Sequence, residues 1–177
     1  MKKIFLVTAI AGMLLLSTGC SKSDTVVNID VVSINSGTVA PNIAIGKELS
    51  VLEFTDQHEQ KHILNNATKK VIFAFKKDMG HIVKELLSSK PQNYLGSKDS
   101  YFVADVSKMP SLIFKYAALP DLKESLYPVL LLTDEAVAAG FINEKEIERI
   151  MVVTLHNKIV ENVTFVATAA DLLKEID

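Results

Sequence analysis

The sequence predicts an α/β domain: a three-layer sandwich in which a mixed central sheet is flanked by helices and preceded by an amino-terminal β-hairpin. Three observations carry this reading. Val71-Ile72-Phe73-Ala74-Phe75 is a short apolar run of branched and aromatic residues, the pattern of a strand buried on both faces. Met79, Ile82, Val83, Leu86 and Leu87 then fall at helical spacing, and a second strand-like run occupies 101–106. The unit reads strand, helix, strand, and the crossover makes the two strands parallel. Further on, residues 150–155 and 159–166 flank His156-Asn157-Lys158. This pair is antiparallel, with Asn suited to the positive φ of a tight turn.

In chain order, Lys2 and Lys3 precede an uncharged apolar stretch at 4–16 and the small residues Ser17-Thr18-Gly19 before Cys20. That is a secretory signal, too short for the roughly 20 residues of a spanning helix. Residues 20–44 are Ser-, Asn-, Thr- and Val-rich without helical period, a tether with one short strand at 26–32. The folded domain is expected over 45–177. Residues 51–54 and 62–64 form its opening hairpin around the polar turn Asp56-Gln57-His58-Glu59-Gln60. Asp78 is placed to cap the first helix. Pro110 opens a second, shorter helix carrying Leu112, Ile113 and Tyr116, and Pro120 is expected to stop it. A strand with proline at its head follows at 127–132. Thr168 with Asp171 reads as the capping box of a final helix bearing Leu172, Leu173 and Ile176.

Composition narrows the possible functions. Of 177 residues, 49% are hydrophobic and 23% charged, an ordinary globular balance with room for one domain beyond the signal. Removal of the signal takes two of the 19 basic residues and leaves 17 against 21 acidic ones, a net charge of −4. Without a Lys/Arg cluster, nucleic acid is a poor partner. Cys20 is the single cysteine, so an intramolecular disulfide, a CxxC pair and a thiolate metal site are all excluded.

Residues 16–20 resemble the lipobox of bacterial lipoproteins, with Ser17 standing where that pattern usually has Leu, Val or Ile. The resemblance implies lipidation at Cys20, including a palmitate-type acyl chain, and a periplasm-facing protein anchored to the outer or inner membrane. The order of elements over 45–177 resembles the thioredoxin superfamily, in particular its redoxin or thiol-peroxidase branch. The turn beginning Asp56-Gln57 resembles the redoxin D-x-x-G hairpin, and Tyr127-Pro128 sits where the resemblance places a cis-proline. In thioredoxins a Cys-x-x-Cys lies at the start of the first helix, where the helix amino terminus lowers the thiol pKa. Here the corresponding residues are Asp78-Met79-Gly80-His81. A carboxylate cannot exchange disulfides, so the oxidoreductase activity does not carry over, and no cofactor is implied.

Two readings of that substitution stand side by side. Asp78 and His81 form an acid/base pair or half a metal site, making the protein an enzyme or a metal binder; or Asp78 is simply a helix cap. His58 and His62 could join Glu59 as metal ligands or be solvated residues of the first hairpin, and the second is the reading taken; His156 beside Asn157 is read as a turn residue of the later hairpin. The surplus apolar residues of 109–119 either form a patch for a partner or are covered by the tether or by the 134–149 connection. The expected function is binding of an envelope protein or peptide across Asp78, Met79, His81, Tyr127 and Pro128.

Overall fold

The computed structural model describes residues 42–177. The signal segment, Cys20 and the strand expected at 26–32 lie outside the described residues. Seven strands form one sheet: β1 (Glu53–Asp56), β2 (Lys61–Ile63), β3 (Lys70–Ala74), β4 (Ser100–Asp105), β5 (Val129–Leu132), β6 (Ile150–His156) and β7 (Ile159–Val166), in the spatial order β2-β1-β5-β4-β3-β6-β7. β3 is parallel to β4, which is parallel to β5, whereas β6 runs antiparallel to both β3 and β7. The expected mixed sheet, the βαβ unit and both hairpins are all present. The domain is a thioredoxin-like three-layer sandwich.

Strand periodicity of two divides the core. Val71 and Phe73 face one side with Val103, Leu130, Met151 and Val153, where Phe141 and the short helix α5 (Glu135–Ala139) cover them. Ile72 and Ala74 face the other with Phe102, Val129, Ile150 and Val152. There they meet α1 (Lys77–Ser88) through Val83 and Leu87, α2 (Tyr94–Ser97) through Leu95, and α6 (Ala169–Ile176) through Leu172 and Ile176. Ile43 is also fully buried, and the Asn42 amide donates to the Gly140 carbonyl at 3.0 Å, so the first described residues pack into the domain.

Thr168 caps α6 as expected: its hydroxyl accepts from the Asp171 amide and donates to the Asp171 carboxylate. The 156–159 turn has positive φ at both central residues, Asn157 (50°) and Lys158 (68°), the geometry that matches strand twist.

Two expectations are corrected. Asp78 does not cap α1: the N-cap is Lys76, whose extended backbone starts the helix without a side-chain cap, and Asp78 lies in the first turn. A first-turn carboxylate still complements the positive end of the helix dipole, which is what the sequence signal reflected. Nor does Pro120 stop the second helix. Helical structure runs from α3 (Ser111–Ile113) through a π-helical turn (Phe114–Ala118) into α4 (Leu119–Lys123), with Pro120 in the first turn of α4. The wider π turn shifts the hydrogen-bond register just ahead of the proline, and this relieves the clash with the carbonyl four residues back.

Candidate functional site

The groove beside α1 is built by small residues. On the sheet face that carries α1, the floor is Ala74, Phe102, Ala104 and Val129, and the opposite wall is the 111–123 helical stretch. Gly80 on α1, and Ala117 and Ala118 on the π turn, present little bulk to each other across the gap. Leu122 at the far end packs on the sheet and fixes the wall. The cavity that remains is about 370 Å³ and is lined mainly by carbon. A Cβ added at Gly80 would meet nothing within 4 Å, so the groove mouth is open at that point.

Polar groups mark its two ends. At the floor, Tyr127 is 6% exposed, and its hydroxyl is buried beside that of Ser125. Burial pushes the Tyr127 phenol above its ordinary range; Ser125 opposes this and the charge of Asp121 adds to it. At the rim stand Lys76, Lys77, His81 and Lys84, all from the start of α1. Lys84 reaches across to α4 and pairs with the Asp121 carboxylate at 2.5 Å, tying the two walls together. A half-exposed pair of this kind contributes little to stability, about 0–1 kcal/mol, so it can open at small cost.

The groove brings together two of the five expected site residues, His81 and Tyr127. Met79 is half-buried and packs into the helix-side core. Asp78 and Pro128 are exposed and do not line the groove. Pro128 heads β5, which is separated from β3 by β4, so the proline is not beside the start of α1. Among the described residues, no group of three His, Cys, Asp or Glu side chains could hold a metal ion. No helix among them is long and apolar enough to cross a membrane.

The histidines of the hairpin divide. His58 is exposed, whereas His62 Nε2 lies 2.7 Å from Asp56 Oδ2 and its ring meets Tyr101 edge-on. Asp56 Oδ1 accepts the amides of His58 and Gln60, closing the turn. Burial opposes ionisation of Asp56, but the hydrogen bonds from His62, Gln60 and His58 outweigh it and hold the carboxyl below its usual range. This pair lies in the hairpin and lines no part of the groove.

Sequence reasoning missed the π turn, the Lys84–Asp121 tie and the role of Gln57. The Ala-Ala pair at 117–118 and the isolated Gly80 inside an amphipathic stripe were the available signals for a gap between helices. Of the surplus apolar residues, Leu112, Ile113 and Tyr116 are 70%, 54% and 69% exposed, and Phe114 is half-buried.

No family model matches the chain, and no curated protein matches it. Solved structures similar to it include the thioredoxin domain of a thiol-disulfide oxidoreductase from Bacteroides vulgatus (12% identity, TM-score 0.47, covering 76% of this chain and 99% of that one). A peroxidoxin from Mycobacterium tuberculosis aligns with 17% identity and TM-score 0.46, over 76% of this chain and 96% of its own. A SCO1/SenC family lipoprotein from Bacillus anthracis aligns with 13% identity and TM-score 0.45, over 74% and 94%.

Proposed function

We propose that this protein is a lipid-anchored component of the bacterial cell envelope, held at a membrane through Cys20, whose thioredoxin-like domain binds an envelope protein or peptide. The groove beside α1 is the binding site. The observation that carries this reading is an open apolar cavity at the helix start, where the sequence has Asp78-Met79-Gly80-His81 and no cysteine. Apolar grooves with a few placed polar groups are the usual form of a ligand site. With the one cysteine at position 20, binding is favoured over thiol chemistry.

The test is cross-linking in cells followed by recovery from envelope membranes, comparing the wild type with Gly80→Leu. Leucine favours the helix and projects into open space, so the variant keeps its fold, checked by circular dichroism, while filling the groove. A specific partner recovered with the wild type and lost with Gly80→Leu is the expected result. Equal recovery from both contradicts the reading.

A further inference from the structure

We propose that the exposed face of the 111–116 helical stretch docks on an anionic lipid bilayer, with Leu112 and Tyr116 entering the headgroup layer and Lys108 and Lys115 meeting its phosphates. This rests on anchoring through Cys20 and goes further by naming the side of the domain that the anchor brings to the membrane.

The apolar part of this face points outward. Leu112 is 70% exposed and Tyr116 69%, and they stand four residues apart, close to one helical turn, so they share a face. Neither lines the groove, whereas Ile113 between them does, so the face adjoins the groove without closing it. Tyrosine, with an apolar ring and a polar tip, suits the boundary between lipid and water. The Lys115 ammonium lies 5.3 Å from the centroid of the Tyr116 ring, where a cation beside an aromatic ring can meet a headgroup.

Charge selects the bilayer and the orientation. The described residues hold 16 basic and 19 acidic side chains, a net charge of −3. A domain of that charge approaches an anionic surface only with a positive side leading. Between Val106 and Pro120 there are two lysines, Lys108 and Lys115, both exposed, and no carboxylate. Lys76 and Lys77 line the same groove as Ile113 and extend the positive side. Of the bordering carboxylates, Asp121 is held by Lys84, Asp105 accepts the Ser107 amide, and Glu124 lies past the end of α4. Asp134 and Glu135 begin α5, which covers the opposite face of the sheet.

Reach makes a weak contact sufficient. Residues 20–41 can span at most about 75 Å, so a domain anchored at Cys20 is always within that distance of lipid. Tethering turns docking into an intramolecular step, and a surface too weak to hold free protein still orients the anchored one.

The test uses the full mature, acylated chain carrying Ser111→Cys labelled with the fluorophore nitrobenzoxadiazole; acylation occupies the Cys20 sulfur, so the label goes to the new thiol. Vesicles are phosphatidylcholine and phosphatidylglycerol with a spin-labelled lipid as quencher. Quenching at position 111, and none for the same label at Glu161→Cys on the edge strand β7, is the expected result. Lys108→Glu with Lys115→Glu is expected to weaken docking about tenfold. Leu112→Glu with Tyr116→Glu is expected to abolish it, with the fold unchanged by circular dichroism and the chain still sedimenting with the vesicles. A label at 111 that stays unquenched while the chain sediments leaves the anchor standing and overturns this inference. So does a label shielded from water but unquenched, which means that the tether or a protein covers the face, or quenching that ignores phosphatidylglycerol and both lysines. A chain that does not sediment with the vesicles overturns the anchor and this inference together.

Discussion

The side chain of Gln57 brackets Pro128. Its Nε2 donates to the Tyr127 carbonyl at 2.9 Å and its Oε1 accepts the Val129 amide at 2.8 Å, with Gln57 itself only 1% exposed. One carboxamide thus satisfies the backbone on both sides of a residue that has no N–H of its own, and ties the β1–β2 turn to the head of β5. Gln57→Leu leaves a buried carbonyl and a buried amide without partners, and is expected to destabilise the domain by about 3 kcal/mol. Gln57→Glu keeps the acceptor for Val129 but sets a carboxylate oxygen against the Tyr127 carbonyl. Burial raises that carboxyl's folded-state pKa, so relative to wild type the variant should be more stable near pH 4 than at pH 7. Urea unfolding at the two pH values checks both substitutions.

The Asp56–His62 pair predicts acid sensitivity in the opposite sense. The folded-state pKa of Asp56 lies below its ordinary value of 3.8, so the unfolded chain takes up the proton first as pH falls. Its contribution is complete above about pH 5 and is lost as pH drops through the folded-state value. Asp56→Asn is expected to cost about 1–2 kcal/mol at pH 7 and to flatten the urea midpoint between pH 5 and pH 3. A slope unchanged by the substitution would show that Asp56 is not its source.

Glu59 holds a positive φ of 64° in the same turn and is exposed, with its amide donating to the Asp56 carbonyl at 3.0 Å. It stands where the D-x-x-G pattern has glycine. Glu59→Gly removes the left-handed penalty on a side chain that touches little, and should stabilise by about 1 kcal/mol. Thermal melting checks this, with a rise in Tm of roughly 4 °C.

The proposed anchor is tested separately from the domain. Mass spectrometry of the mature amino terminus should find an acylated Cys20, and Cys20→Ala should release the protein from membranes. Two or more acyl chains hold a protein stably where one does not. A free thiol at Cys20 in membrane-retained protein would contradict the assignment.

Much of the fold was legible because its elements obey simple periods. The run 71–75 and the alternation at 159–166 had to be strands, and the stripe from Met79 to Leu87 had to be a helix packed on them. The boundaries that shifted lie where local rules compete: Asp78 is a good cap, yet the chain turns into the helix two residues earlier. Pro120 is a good terminator, yet a π turn just before it lets the helix continue. The groove was less legible than its rim. His81 and Tyr127 were nameable from position, but the gap between them depends on Ala104 and Ala117, small residues far apart in sequence that a pattern cannot place opposite one another. Gln57 was hidden for the same reason, since its partners are 70 and 72 residues away.

The central claim is that the groove wall is where a partner docks. A photo-cross-linking amino acid in place of Ile113, on that wall, tests it in living cells against the same residue in place of Ile63, which is 62% exposed on the edge strand β2 and away from the groove. A discrete cross-linked species from position 113, absent from position 63 and abolished by Gly80→Leu, is the predicted result. No discrete adduct from position 113, or the same adducts from both positions, would contradict it.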